Sequence, residues 1–343
     1  MTIQTKAFPK KTKLPPMEQK AGRAGKFISS KPAIILAILA IILALFIAGF
    51  LFISLGTRPD LILPPRVFQV LAILLIAVCI GFSTVVFQTL TNARILTPGV
   101  LGFENIYMFI QTGIVFFLAS GDYFISGTPN FILSVVLMVG FSILVFFPLL
   151  IKETKGIYIL LLVGMIISTL FASLTIVMQM VIDPAEFDFV QTRMFASFNS
   201  PNTSLIIISA VLAAIMIIAM PRPRKLDVLS LGRDNAISLG LNYNAMTIRI
   251  LIIVSVLVSV SVALVGPIMF LGLLAANLSY QIIKSHRHIF TIPASILIAA
   301  VALMGGQFLM ERVINSHINI AIIINFIGGI YFIFLLIKQR NKG

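Results

Sequence analysis

Hydrophobic positions along this chain gather into long unbroken stretches separated by short polar segments. Each stretch is close to the roughly 20 residues that a helix needs to cross about 30 Å of hydrocarbon. Ten are legible, at 33–54, 67–90, 100–119, 131–151, 156–181, 204–220, 247–265, 267–284, 290–310 and 318–337. The seventh and eighth are divided only by Gly266-Pro267, a strong turn signal, so the pattern predicts ten spanning helices rather than nine. The fold class that follows is all-α and polytopic.

Charge supports this map. If the N-terminus is cytoplasmic, 21 of the 25 Lys and Arg fall on the cytoplasmic side, with Arg249 and Lys284 at the very ends of their spans and none in a span interior. The other four are Arg58, Arg66, Arg193 and Arg312 on the outer face. That asymmetry is the positive-inside signature, and it predicts both termini in the cytoplasm of a multi-pass cell-membrane protein. Composition agrees: 59% hydrophobic, 10% charged and a mean hydropathy of +1.10 leave too little polar surface for a soluble domain. The net charge of +14 therefore reads as topology rather than nucleic-acid binding. Residues 1–31 carry eight Lys/Arg with Pro, Gly and Ser, and are expected to be a disordered basic tail near anionic lipid, ahead of one membrane domain at 32–343. The single cysteine, Cys79, excludes an intrachain disulfide and a cysteine-ligated metal.

Ion-coupled carriers keep charged or titratable groups inside the bilayer. Of the eleven acids only Glu104 and Glu311 approach a span, both near an end, and His286, His288 and His317 fall in connecting segments. There is no phosphate-binding loop and no His-Glu-x-x-His, so no catalytic, cofactor or metal residue is expected. Energy for uphill movement must come from another chain. An ion-coupled secondary transporter of a small solute is the alternative. The polar residues within spans are uncharged, among them Ser83, Thr84, Gln88, Gln111, Thr112, Ser168, Thr169, Ser173, Gln179, Asn277, Gln307 and Asn325. They suit either interhelical packing or a neutral lining for a bulky solute.

Two segments are more than connections. The stretch 221–246 contains a short helix stopped by Gly240, with Leu231, Ile237, Leu239 and Leu241 as apolar surface for lipid or for a cytosolic partner. The stretch 182–203 alternates polar and aromatic residues and suits an interfacial helix opened by Asp183-Pro184.

Four motifs carry a resemblance. Leu-Pro-Pro-Arg66 precedes the second span; Gln88 is followed by Asn92-Ala-Arg94-Ile-Leu-Thr-Pro98-Gly99-Val-Leu-Gly102; the third is Leu231-Gly232-Arg-Asp234-Asn-Ala236-Ile-Ser238-Leu239-Gly240; the last is Gly266-Pro-Ile-Met-Phe270-Leu-Gly272-Leu. Together they resemble the permease subunits of ABC importers for iron chelates, haem and cobalamin. The chain departs from them at Ala276-Asn277, where the family has Pro-His, and at Arg94, where it usually has Pro. The Thr-Asn-x-Arg-Ile-Leu-Thr-Pro form at 91–98 is similar to the branch importing catecholate-type ferric siderophores.

The resemblance implies a type II ABC importer permease fold and a set of partners: a second permease subunit, identical or related, a cytosolic ATPase dimer and an extracytoplasmic solute-binding protein. It also implies three groups of residues. Leu231, Gly232, Asp234, Ala236, Ser238, Leu239 and Gly240 would couple to the ATPase; Arg66 and Arg312 would dock the binding protein; Gln88, Asn92, Pro98 and Gly102 would shape the translocation path.

Overall fold

In hydrocarbon a backbone satisfies its N–H and C=O groups only within a helix or a closed barrel. Every apolar stretch here takes the helical solution. The computed structural model describes residues 18–53, 59–99, 102–118, 127–151, 157–193, 198, 202–314 and 320–340, and all regular structure among them is helical. Ten helices correspond to the ten stretches: α1 (Glu18–Phe52), α2 (Pro59–Thr91), α3 (Phe103–Leu118), α4 (Thr128–Ile151), α5 (Ile157–Val181), α7 (Thr203–Ile218), α10 (Tyr243–Val265), α11 (Leu271–Ile283), α12 (His288–Phe308) and α13 (Ile320–Arg340). Between them lie the short helices α6 (Pro184–Arg193), α8 (Pro223–Leu229) and α9 (Arg233–Ser238), and α12 runs on into a π-helical stretch, Leu309–Ile314. Among the described residues, six helices are long and apolar enough to span by themselves, while α11 and α13 are shorter apolar helices.

Two sequence expectations are corrected. The tail was expected to lack regular structure to residue 31, but α1 starts at Glu18. Glu18, Gln19, Lys20, Ala21 and Ala24 are good helix formers, and extending a helix already formed in the apolar stretch adds one bond per residue. Residues 1–17 lie outside the described residues. The 221–246 segment, expected to hold one short helix, holds two, because Gly232 at φ +89° breaks the run between α8 and α9.

The most enclosed spans are α2 and α10, with α12 next; α1 and α5 are the least enclosed. α12 packs on α2, α1 and α11; α10 packs on α4, α2 and α7; α3 packs on α5. Where α2 crosses α12 the backbones nearly touch, since a Cβ on Gly81 would stand 2.9 Å from the Ile296 Cα. Large apolar side chains on α1, α5 and α13, such as Leu45, Leu170 and Phe326, are exposed, as a lipid-facing surface requires.

Several of the neutral polar residues are engaged in joining or bracing helices. Gln111 on α3 donates to Asn130 (3.0 Å) and Ser134 (2.8 Å) on α4. Asn105 on α3 donates to the Ser168 hydroxyl of α5 at 2.7 Å. The Gln179 amide donates to Thr112 at 3.4 Å, and the Ser142 and Ser255 hydroxyls pair at 2.6 Å between α4 and α10. Thr169 and Ser173 donate to carbonyls of their own helix. For the residues paired between helices, the packing alternative describes what is found.

Candidate functional site

The end of the bundle that carries 221–246 is built around two turns and a cavity. α8 is fixed by Leu226 and Leu229, both buried in the main apolar cluster. Ala236 is buried under α9, whereas Leu231, Ile237 and Leu239 are exposed at 54%, 47% and 62%. Asp234 and Ser238 lie on the exposed side, with the Ser238 hydroxyl donating to the Asp234 carbonyl at 2.8 Å. α9 ends as the sequence suggested. Gly240 takes φ +83°, its N–H donates to Ile237 O (2.9 Å), and the Leu241 N–H donates to Ala236 O (3.0 Å). That bond pair is a Schellman cap, which needs the left-handed residue that glycine supplies.

Beside this segment lies a cavity of about 380 Å³. It is lined by Gln88 and Thr89 from α2, Asn92 and Arg94 from the α2–α3 connection, Ser230 from the α8–α9 turn, Tyr280 from α11, and Lys284, Ser285, His286, His288 and Thr291 around the start of α12. Gln88 is buried. Its amide nitrogen donates to the Arg94 carbonyl at 2.8 Å, and Asn277 of α11 donates to the same carbonyl at 3.1 Å. So Asn277, one of the departures from the motif, holds the loop that carries the other, Arg94. The Arg94 guanidinium sits 5.2 Å over the Tyr280 ring, a cation–π contact. The Gln88 carbonyl oxygen is buried and has no hydrogen-bond partner among the described residues.

The structure thus brings two of the four expected path residues, Gln88 and Asn92, into one cavity. The other two shape the re-entry of the chain into α3 instead. Pro98 precedes the turn in which the Gly102 N–H donates to Gly99 O at 3.0 Å. Gly102, at φ +98°, packs so closely on α5 that an added Cβ would stand 2.8 Å from the Ser168 Cβ. Asn92, with φ +51°, lies against the 221–246 segment: its side-chain nitrogen is 4.0 Å from where a Cβ on Gly232 would stand.

Sequence reasoning missed one cluster. His288 had been placed in a connecting segment, yet it is the first residue of α12 and is buried. Its Nδ1 meets the Asp227 carboxylate of α8 at 2.6 Å, its backbone N–H donates to the same oxygen at 2.9 Å, and its Nε2 meets the Thr89 hydroxyl of α2 at 2.7 Å. One imidazole therefore joins α8, α12 and α2. No spacing motif connects residues 227 and 288. The available signal was that both lie in polar connections predicted on the same side.

At the opposite end Arg66, expected to dock the binding protein, has partners within the chain. It is buried, and one guanidinium nitrogen donates to the carbonyls of Leu51 and Ile53 (3.0 Å each) and Phe50 (3.4 Å). A cation on the orphan carbonyls of a helix C-terminus is a cap. Arg66 fastens α2 to the end of α1. Near it, Gln69 of α2 and Gln307 of α12 both donate to Glu311 Oε1, the former at 2.8 Å. The side chain of Arg312, and all of Arg58, lie outside the described residues.

Comparison with known proteins fits this architecture. The model of the FecCD transport family matches residues 33–338. The chain is 46% identical over 295 residues to the petrobactin import system permease protein YclO of Bacillus subtilis (strain 168), covering 85% of this chain and 93% of that protein. It is 36% identical over 279 residues to the petrobactin import system permease protein FatC of Bacillus anthracis, covering 80% and 78%. A solved structure of an inward-facing metal-chelate type ABC transporter superposes with a TM-score of 0.75 at 22% identity, over 90% of this chain and 99% of that one; this likeness shows the fold. With nearly every residue outside the N-terminal tail inside the family match, the chain belongs to the FecCD transport family.

Proposed function

We propose that this chain is the membrane-spanning permease subunit of an ATP-driven importer that carries an iron chelate, a ferric siderophore, into the cytoplasm. The observation that carries the reading is the pairing of an exposed apolar coupling helix, α9, with a polar cavity whose wall includes Gln88 and Asn92. The two relatives that are petrobactin import permeases support a siderophore as the cargo. Both termini and the 221–246 segment would face the cytoplasm, in keeping with the distribution of 21 of 25 basic residues. ATP hydrolysis belongs to a separate cytosolic ATPase dimer, and a second permease, identical or related, completes the path. An extracytoplasmic binding protein delivers the chelate.

Mechanically, Leu231, Ile237 and Leu239 would seat in the ATPase while Gly232 and Gly240 set the angle of α9. Movement there would pass through Leu226, Leu229 and the Asp227–His288–Thr89 link to α2 and α12, and through Asn92 to the cavity. The cavity wall offers amides and cations, which can shed their hydration around an anionic chelate and release it again. The test is uptake of radiolabelled ferric petrobactin in cells lacking this chain, then complemented with it. Uptake should require the chain and the cognate ATPase. Uptake that persists with an inactive ATPase but collapses with the proton gradient would refute the reading.

A further inference from the structure

A second cavity, of about 590 Å³, opens at the same end of the bundle, on the other side of the Asp227–His288 pair. Its lining is Arg222, Pro223, Arg224, Asp227, Arg287 and Ile289. Three exposed arginines from two separate connections, α7–α8 and α11–α12, therefore border one cavity. None of the three holds an ion pair among the described residues, and the one carboxylate in the wall turns an oxygen to His288. The uncompensated charge sits at span ends. Arg222 follows α7 by four residues, after Ile218, which is 83% exposed, and Ile289 on the cavity wall is 59% exposed on the first turn of α12. A mainly apolar cavity bordered by arginines, beside the ends of spanning helices, is complementary to one kind of molecule: a phosphodiester with acyl chains attached. Arginine forks match phosphate oxygens in pairs, which lysine does not reproduce.

We propose that this cavity binds the headgroup of an anionic phospholipid. The lipid phosphate bridges Arg222, Arg224 and Arg287, and its chains run along Ile289. Because Asp227 is shared between this cavity and the link to His288 and Thr89, a bound lipid braces α8 against α12 at the base of the 221–246 segment. This site is separate from the polar cavity at Gln88, and the proposal stands whatever solute the protein carries.

The experiment uses the full chain, purified in mild detergent, exchanged into nanodiscs of phosphatidylcholine with or without phosphatidylglycerol, then re-extracted for native mass spectrometry of retained lipid. The wild type should retain phosphatidylglycerol over phosphatidylcholine. With each arginine near the surface contributing about one unit of the usual headgroup attraction, Arg224→Gln and Arg287→Gln should each lower retention about fivefold. Lys284→Gln, an equal charge change in the other cavity, should leave retention unchanged. Arg287→Lys keeps the charge and tests folding; it should retain more lipid than Arg287→Gln. Inorganic phosphate added during extraction should not displace the lipid at millimolar concentration. Equal retention by wild type and the double glutamine variant overturns the proposal. Displacement by phosphate alone also overturns it, in favour of a free-anion site. Loss of ATPase association with lipid retention intact would reassign the arginines to an acidic surface of that partner.

Discussion

The bonds around His288 allow a quantitative prediction. His288→Ala removes the ring contacts at 2.6 Å to Asp227 and 2.7 Å to Thr89, and retains the backbone bond to Asp227 at 2.9 Å. A hydrogen bond involving a charged group is worth about 1.5–3 kcal/mol and a neutral one about 1. The Asp227 side chain is 34% exposed, so water recovers part of the first, which places it at the low end of that range. Thr89 keeps its bond to Val85 O at 2.8 Å, so its hydroxyl is not stranded. The expected loss is about 2–3 kcal/mol, including the small cavity left behind. Asp227→Ala should cost about 1.5–2 kcal/mol. The double variant should cost less than the sum, with a coupling of about 1–1.5 kcal/mol for groups in direct contact. Chemical unfolding of the purified chain in detergent, followed by tryptophan-free far-UV ellipticity, measures all three. In the reconstituted importer the same variants should raise the ATP hydrolysed per chelate imported by up to about tenfold, as a link worth about 1.4 kcal/mol would. Additivity within about 0.3 kcal/mol, together with unchanged stoichiometry, would refute the idea that this imidazole joins the coupling segment to the spans.

Three other substitutions test separate parts of the argument. Gly240→Val meets no atom within 4 Å, so its penalty is the left-handed backbone at φ +83°, about 1–2 kcal/mol or more for a β-branched residue; the chain should insert normally yet fail to associate with the ATPase, and normal uptake would count against α9 as the coupling helix. Gln88→Leu removes one bond to Arg94 O and one unpaired acceptor, which nearly cancel, so stability should move by less than about 1 kcal/mol while uptake falls. A large stability loss with uptake per folded molecule unchanged would make Gln88 a packing residue. Arg66→Ala strips the C-terminal carbonyls of α1 and should lower stability by about 3 kcal/mol, measured by thermal unfolding without any binding protein present; unchanged stability with lost binding-protein docking would return Arg66 to the docking role.

Span positions were legible because hydrocarbon leaves the backbone one local solution, and twenty apolar residues announce it without reference to any partner. The Gly266-Pro267 break was legible for the same reason: Gly266 at φ +110° ends α10, and α11 resumes at Leu271. The left-handed cap at Gly240 is equally local. What escaped were side-chain pairings between segments far apart in sequence. Asp227 and His288 are 61 residues apart, and Gln69 and Glu311 are 242 apart. Nothing in either sequence neighbourhood marks a partner. Arg66 is a further case: the motif beside it marked the residue, but not the carbonyls of Leu51 and Ile53 that it caps.

The two ends of the bundle are consequently fastened by different chemistry, and that difference bears on how such a chain could move. At the Arg66 end the tie is a buried cation held on the last carbonyls of α1. At the other end the ties run through Asn92 at φ +51°, Lys284 at φ +49° and the glycines Gly232 and Gly240, all in left-handed conformations. Hinges are built from a few element-terminal positions that can absorb such changes. The elements that the two glycines bound, α8 and α9, are short; α8 is anchored by Leu226 and Leu229, and α9 by Ala236. A force applied to Leu231 and Leu239 therefore meets compliance at the turns and stiffness in α2 and α12, so it should open or close the polar cavity before it tilts the spans. Inter-residue distances between a label on α9 and one at the Arg94 loop, measured by electron paramagnetic resonance with and without nucleotide, should change more than those between α1 and α2 at the Arg66 end. Equal changes at both ends would mean the bundle rocks as one body.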